Sequence, residues 1–135
     1  MDSFEAYSHA IASLGIWALM VVVLSALSTI GRTDNDRCSC GKPKRDYSSK
    51  VYRKERAFAN AVEVSGPFIA ATLAAILAGA SPLWVNLFAS IFIISRIAMA
   101  VVHIGTENQA MRSLAFVIGW ACMICISIMA IGAAF

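Results

Sequence analysis

Residues Leu114 to Phe135 read LAFVIGWACMICISIMAIGAAF and contain no charged side chain. A hydrocarbon core about 30 Å thick is crossed by roughly 20 apolar residues in a helix, so this stretch alone is long enough to span a bilayer. Working back along the chain, Ile11 to Ile30 is also uncharged. Two more apolar runs, 57–79 and 82–104, each hold one charged residue, Glu63 and Arg96. No water satisfies backbone groups inside lipid, so runs of this kind must be helical. The period-2 alternation of a membrane barrel is absent. Of the 135 residues, 59% are apolar, and the mean hydropathy is +0.73. These features predict an all-α integral membrane protein: one four-helix domain over residues 1–135, with spans at about 8–30, 57–79, 82–104 and 112–134. The amino end carries no basic residue before its apolar run, so the first span reads as a retained helix rather than a cleaved signal.

The basic residues orient the spans. Nine of the eleven lie between Arg32 and Arg56, and the others are Arg96 and Arg112. By the positive-inside rule the 32–55 loop is expected in the cytoplasm, together with the 104–112 connection, and both termini on the opposite side. The net charge of +3 is then a property of one loop beside anionic headgroups, with no nucleic-acid partner implied. Cys38 and Cys40 fall in that loop, where a reducing compartment disfavours stable disulfides. Two ligands also fall short of a structural zinc site, so no metal is expected and the pair reads as incidental. Cys122 and Cys125 are one turn apart in the last span and read as small packing groups.

Glu63 and Arg96 decide where function is sought, because an ionisable group inside a span is costly and marks a functional site. At 1.5 Å per residue, Glu63 lies about 10 Å and Arg96 about 12 Å from the loop-side interface, so a Glu63–Arg96 ion pair is expected. Arg56, Asn60 and Glu63 recur at i, i+4 and i+7 and share one helix face. Arg96 and His103, seven apart, share another. Arg112 and Ser113 open the fourth span, where free backbone N–H groups favour an anion. Together these residues predict a polar cleft near the loop side, rich in cations, suited to a small zwitterionic or polyanionic ligand. His103, with a near-neutral pKa, fits either a hydrogen-bonding or a proton-transferring role. Pro67, four residues after Glu63, is expected to bend the second span.

The run Arg56-Ala57-Phe58-Ala59-Asn60-Ala61-Val62-Glu63, followed by Pro67-Phe68, resembles the second-helix signature of the MAPEG family, the membrane-associated proteins in eicosanoid and glutathione metabolism. Arg96, with Arg112-Ser113 sixteen residues on, is similar in spacing to the microsomal prostaglandin E synthase and glutathione transferase branch. The resemblance implies a homotrimer that binds glutathione between subunits on the cytoplasmic side of the endoplasmic reticulum or a bacterial inner membrane. It implies that Arg56, Asn60 and Glu63 hold the tripeptide, that Arg96 supports Glu63 or touches the ligand, and that Arg112 stabilises the thiolate beside Ser113. His103 and, more loosely, Arg32 join the ligand-binding set. Met99, His103 and Phe116 stand where eicosanoid-making members often carry tyrosine, and Ala59 stands where the prostaglandin synthases carry arginine. The resemblance therefore implies a general glutathione transferase or peroxidase acting on lipophilic electrophiles that arrive from membrane lipid. Two rival readings are a non-catalytic scaffold of the same fold and a four-helix, proton-coupled multidrug transporter using Glu63.

Overall fold

The computed structural model describes the chain from Asp2 to Phe135, with side chains from Phe4 onward. A short helix α1 (Asp2–Glu5) precedes four long ones: α2 (Ser8–Thr29), α3 (Lys50–Leu77), α4 (Pro82–Gly105) and α5 (Gln109–Ala133). Each of the four is long and apolar enough to cross a membrane. Large apolar side chains such as Leu19, Val22, Leu77, Val101 and Ile128 point outward, as they do against lipid or another apolar surface. We call the end bearing the 30–49 and 105–109 connections the loop end.

The buried stripe of α3 runs Ala57, Ala61, Val64, Phe68, Ala71, Ala75, alternating steps of four and three. It meets α2 and α4 at an aromatic cluster. Phe68 stacks on Phe92 with ring centroids 3.8 Å apart, and Trp17 stands edge-on to both, at 6.1 and 5.1 Å. The Trp17 indole N–H donates to Ser65 Oγ at 3.0 Å, so its polar atom is satisfied inside the bundle. Pro67 leaves the Glu63 carbonyl without its intrahelical donor, yet α3 runs through it unbroken from Lys50 to Leu77.

Helices α4 and α5 approach closely at Gly119. A Cβ there would lie 2.8 Å from Ser95 Oγ and 3.1 Å from Arg96 Cδ. Small residues allow such backbone approach in membranes, where packing rather than the hydrophobic effect drives helix association. Gly119→Val should therefore overpack the contact and lower stability by about 1–3 kcal/mol, read as a reduced melting temperature in detergent. An unchanged melting temperature would mean that α5 can shift away freely.

Opposite the loop end, Asn86 uses both halves of its amide to bind the start of α2. Its Oδ1 accepts from the Ala10 N–H at 2.9 Å, and its Nδ2 donates to the Ala6 carbonyl at 2.7 Å. Tyr7 donates to the Ala80 carbonyl at 2.5 Å. The Asn86 bonds satisfy backbone groups that the break between α1 and α2 leaves unpaired, and the Tyr7 bond ties the start of α2 to the α3–α4 turn.

The loop is folded on itself. Thr33 and Asp36 close a capping box over the 3-10 turn Asp34–Asp36. The Thr33 hydroxyl and backbone N–H hold the Asp36 carboxyl below its usual pKa, and the Ser48 hydroxyl and N–H do the same for Asp46. A tight turn follows, with Cys38 N–H donating to Lys42 O and Gly41 N–H to Cys38 O, both at 2.9 Å. Cys38 and Cys40 are disulfide-bonded within this turn, contrary to the expectation of free thiols. The turn sets their Cα atoms 5.2 Å apart, inside the range a disulfide spans, which their spacing in sequence does not reveal.

Candidate functional site

A cleft of about 260 Å³ opens at the loop end between α3, α4, α5 and the loop. Arg56 and Asn60 line it from α3, Met99 and His103 from α4, and Arg112, Ser113 and Phe116 from α5. Each helix contributes residues at i, i+4 or the next turn, so one face per helix suffices. Asn108 caps α5, its Oδ1 accepting from the Met111 N–H at 3.1 Å, which sets the direction in which Arg112 leaves the first turn.

Arg96 lies behind this lining, 3% exposed. Its guanidinium donates to Asn60 Oδ1 and sits 5.6 Å from the centre of the Phe116 ring. A guanidinium has only donors, so the Asn60 atom facing it must be the oxygen, and the amide NH2 is left to donate elsewhere. The expected Glu63–Arg96 ion pair is therefore corrected: Arg96 supports Asn60. Glu63 precedes Val64 of the buried stripe by one residue, about 100° around the helix, and so turns away from α4. Its side chain is 62% exposed, and its nearest cation is Arg56 at 4.0 Å. Glu63 lines a separate, mostly apolar groove of about 420 Å³ with Val64, Pro67, Trp120 and Ser127. Phe116 borders both cavities.

Arg32 is also placed elsewhere. It donates through Nε to the Ser28 carbonyl at 2.6 Å and pairs with Glu55 at 2.5 Å, closing the end of α2. It is not among the residues lining the cleft. Carbonyls at a helix C-terminus attract a cation, and this local demand determines where Arg32 goes.

Sequence reasoning passed over two residues. Tyr47 lines the cleft from the loop, its ring 5.1 Å from the Arg112 guanidinium carbon, in cation–π contact. It brings a phenol to a site that looked poor in hydroxyls, and its signal was that it is one of only two aromatic residues, with Tyr52, in the 32–55 loop. Arg53 is the clamp that holds Tyr47 there. Its guanidinium donates to the carbonyls of Tyr47, Ser48 and Ile104 at 2.7, 2.8 and 3.3 Å, and Glu107 lies 3.6 Å away. In sequence Arg53 is one more basic residue of a basic loop. Arg53→Met should release the 44–49 segment, speeding cleavage by trypsin at Lys44 and Arg45 several-fold and costing about 2 kcal/mol of stability. Cleavage at the wild-type rate would show that the clamp contributes nothing.

His103 is 5% exposed, and among the described residues neither of its ring nitrogens has a hydrogen-bond partner. It thus presents an imidazole to the cleft beside Arg56 and Arg112. The assembled groups suit an anionic ligand: two guanidinium groups at the rim, an amide and a hydroxyl on the walls, and an imidazole within.

A model of the MAPEG family matches residues 6–132. The chain belongs to the MAPEG family. No curated protein matches it. As a MAPEG protein with four apolar helices it is an integral membrane protein, and its family is that of glutathione and eicosanoid metabolism. This MAPEG cleft gathers Arg56, Asn60, His103, Arg112 and Ser113, with Arg96 as the support of Asn60, and leaves Glu63 and Arg32 outside it.

Proposed function

We propose that this protein is a membrane-bound glutathione transferase or peroxidase that activates the thiol for attack on lipophilic electrophiles or hydroperoxides. The observation that carries the reading is the convergence of Arg56, Asn60, His103, Arg112 and Ser113 on one loop-end cleft in a MAPEG chain. Arg56 and Asn60 bind the carboxylates and backbone of the tripeptide. A thiol with a pKa of about 8.5 is mostly protonated at neutral pH, and a guanidinium beside the sulfur favours the thiolate. Arg112 fills that role, with Ser113 and His103 as hydrogen-bonding groups near the sulfur. The apolar groove beyond Phe116 gives a bilayer-borne electrophile a place to rest close to the thiolate. The sulfur attacks the electrophilic carbon, and the leaving group departs with its electron pair.

Glu63 supports the homotrimer proposed with this function. An exposed carboxylate at membrane depth is costly unless another element covers and pairs it, and a neighbouring subunit against α3 would do so while closing the outer side of the cleft. The basic loop supports a cytoplasmic orientation of the cleft, by the positive-inside rule.

The test is thermal unfolding of the detergent-purified protein with millimolar glutathione, beside conjugation to 1-chloro-2,4-dinitrobenzene. Glutathione at tenfold its Kd should stabilise the fold by about 1.4 kcal/mol, with turnover detected. Stabilisation by lipophilic cations instead, without turnover, would favour proton-coupled transport through Glu63. Stabilisation by neither would favour a scaffold.

A further inference from the structure

We propose that Cys38 and Cys40 form a second reactive centre, a thiol–disulfide exchange site on the loop that takes low-molecular-weight thiols and their disulfides as substrates. It is separate from the cleft and does not rest on the function assigned to it. Four observations carry it. The two residues are held in bonding register by backbone hydrogen bonds rather than by the disulfide itself. Cys38 N–H to Lys42 O, Gly41 N–H to Cys38 O and Lys44 N–H to Asp36 O (2.7 Å) close the turn, and Arg37 and Pro43 bridge across it. A disulfide closing so short a loop removes little chain entropy from the unfolded state, so a structural role explains it poorly. None of these hydrogen bonds uses a cysteine side chain, so opening the bond should leave the Cα atoms close to their 5.2 Å separation, ready for re-closure.

The pair is reachable. Cys40, Ser39 and Gly41 are exposed, and Cys38 is half-buried. Exposed disulfides exchange readily, whereas buried structural ones resist reduction. The surroundings are cationic as well. Arg37, Lys42 and Lys44 are exposed within four residues of a cysteine. The carboxylates nearby, Asp34, Asp36 (bonded by Thr33 at 2.6 Å) and Asp46 (bonded by Ser48 at 2.7 Å), are outnumbered by Arg37, Lys42, Lys44 and Arg45. Positive neighbours favour thiolate over thiol and draw in anionic partners such as glutathione.

The exchange balances as follows. A glutathione thiolate attacks Sγ of exposed Cys40, the Cys38–Cys40 bond breaks, and the electron pair leaves on Cys38, which takes a proton from solvent. A second glutathione thiolate attacks the mixed disulfide, releasing glutathione disulfide and the Cys40 thiolate. Two electrons pass from two thiols to the pair, and excess glutathione disulfide drives the reverse.

The full chain in detergent is equilibrated with glutathione buffers of stepped thiol-to-disulfide ratio, quenched in acid, alkylated and read by peptide mass. The 38–40 peptide should pass reversibly from unalkylated to doubly alkylated as the ratio rises. Cys38→Ser should trap a glutathione adduct on Cys40, and Cys40→Ser should trap one on Cys38 more slowly. Arg112→Ala should exchange at the wild-type rate, because the loop reacts from solution whatever the cleft binds. A pair that stays oxidised or stays reduced across the whole series overturns the proposal. So does the absence of an adduct in both serine variants, or exchange that is lost with Arg112.

Discussion

Arg112→Ala should lower the rate of glutathione conjugation to 1-chloro-2,4-dinitrobenzene at least tenfold, a loss of about 1.4 kcal/mol of transition-state stabilisation. Arg112 belongs to the first turn of α5 and lines the cleft with its guanidinium against Tyr47. Removing the cation returns the bound thiol toward its ordinary pKa of about 8.5. Under the proposed function the wild-type rate should rise with pH through a depressed thiol pKa and level off, whereas the variant should keep rising to higher pH and partly recover there. Arg112→Lys should fall between the two, since it keeps the charge but not the planar fork. Stabilisation by glutathione should weaken much less than the rate, because the proposed function leaves Arg56 and Asn60 to hold the tripeptide. A variant with wild-type rate and an unmoved pH profile would take the thiolate away from Arg112.

The second large effect concerns stability. Asn60→Leu should destabilise the protein by about 3 kcal/mol, because it removes the side-chain acceptor of a guanidinium that is 3% exposed. Arg96→Met keeps much of the buried volume and removes the charge, so it should cost far less. The double variant should recover most of what Asn60→Leu loses, since buried ion-dipole arrangements are often replaceable by apolar ones of similar shape. Melting temperatures of the four proteins measure the coupling. Additive losses would mean that Arg96 finds another acceptor when Asn60 is gone. All three variants should lose glutathione binding, which separates the role of the pair in the site from its effect on the fold.

Much of the architecture was legible in the chain because the bilayer imposes a single demand. A stretch such as 114–135 has no polar alternative to a helix, and four such stretches leave few arrangements. The candidate site was legible in part for a related reason. A charged or polar side chain in an apolar run is costly, so Asn60, Arg96 and His103 stood out by their setting, and Arg56 and Arg112, at the span ends, by their match to MAPEG motifs. Tyr47 and Arg53 did not stand out, because in a basic loop neither is unusual.

Periodicity states which residues share a face of one helix, but it leaves open the rotation of that helix against its neighbours. Equal depth made Glu63 a natural partner for Arg96, yet the Ala57–Ala75 stripe turns Asn60 toward α4 and Glu63 outward. Arg32 could have served a ligand or a helix end, and in the structure it lies at the helix end, against the carbonyl of Ser28 and the carboxylate of Glu55. Cys38 and Cys40 are brought into register by a turn whose hydrogen bonds have no sequence signature beyond Gly41 and Pro43. The sequence by itself determined the spans, the basic loop and a short roster of polar groups, because burial in lipid acts on each residue independently. Pairings among those groups depend on contacts between helices far apart in the chain, and only the tertiary structure decides them.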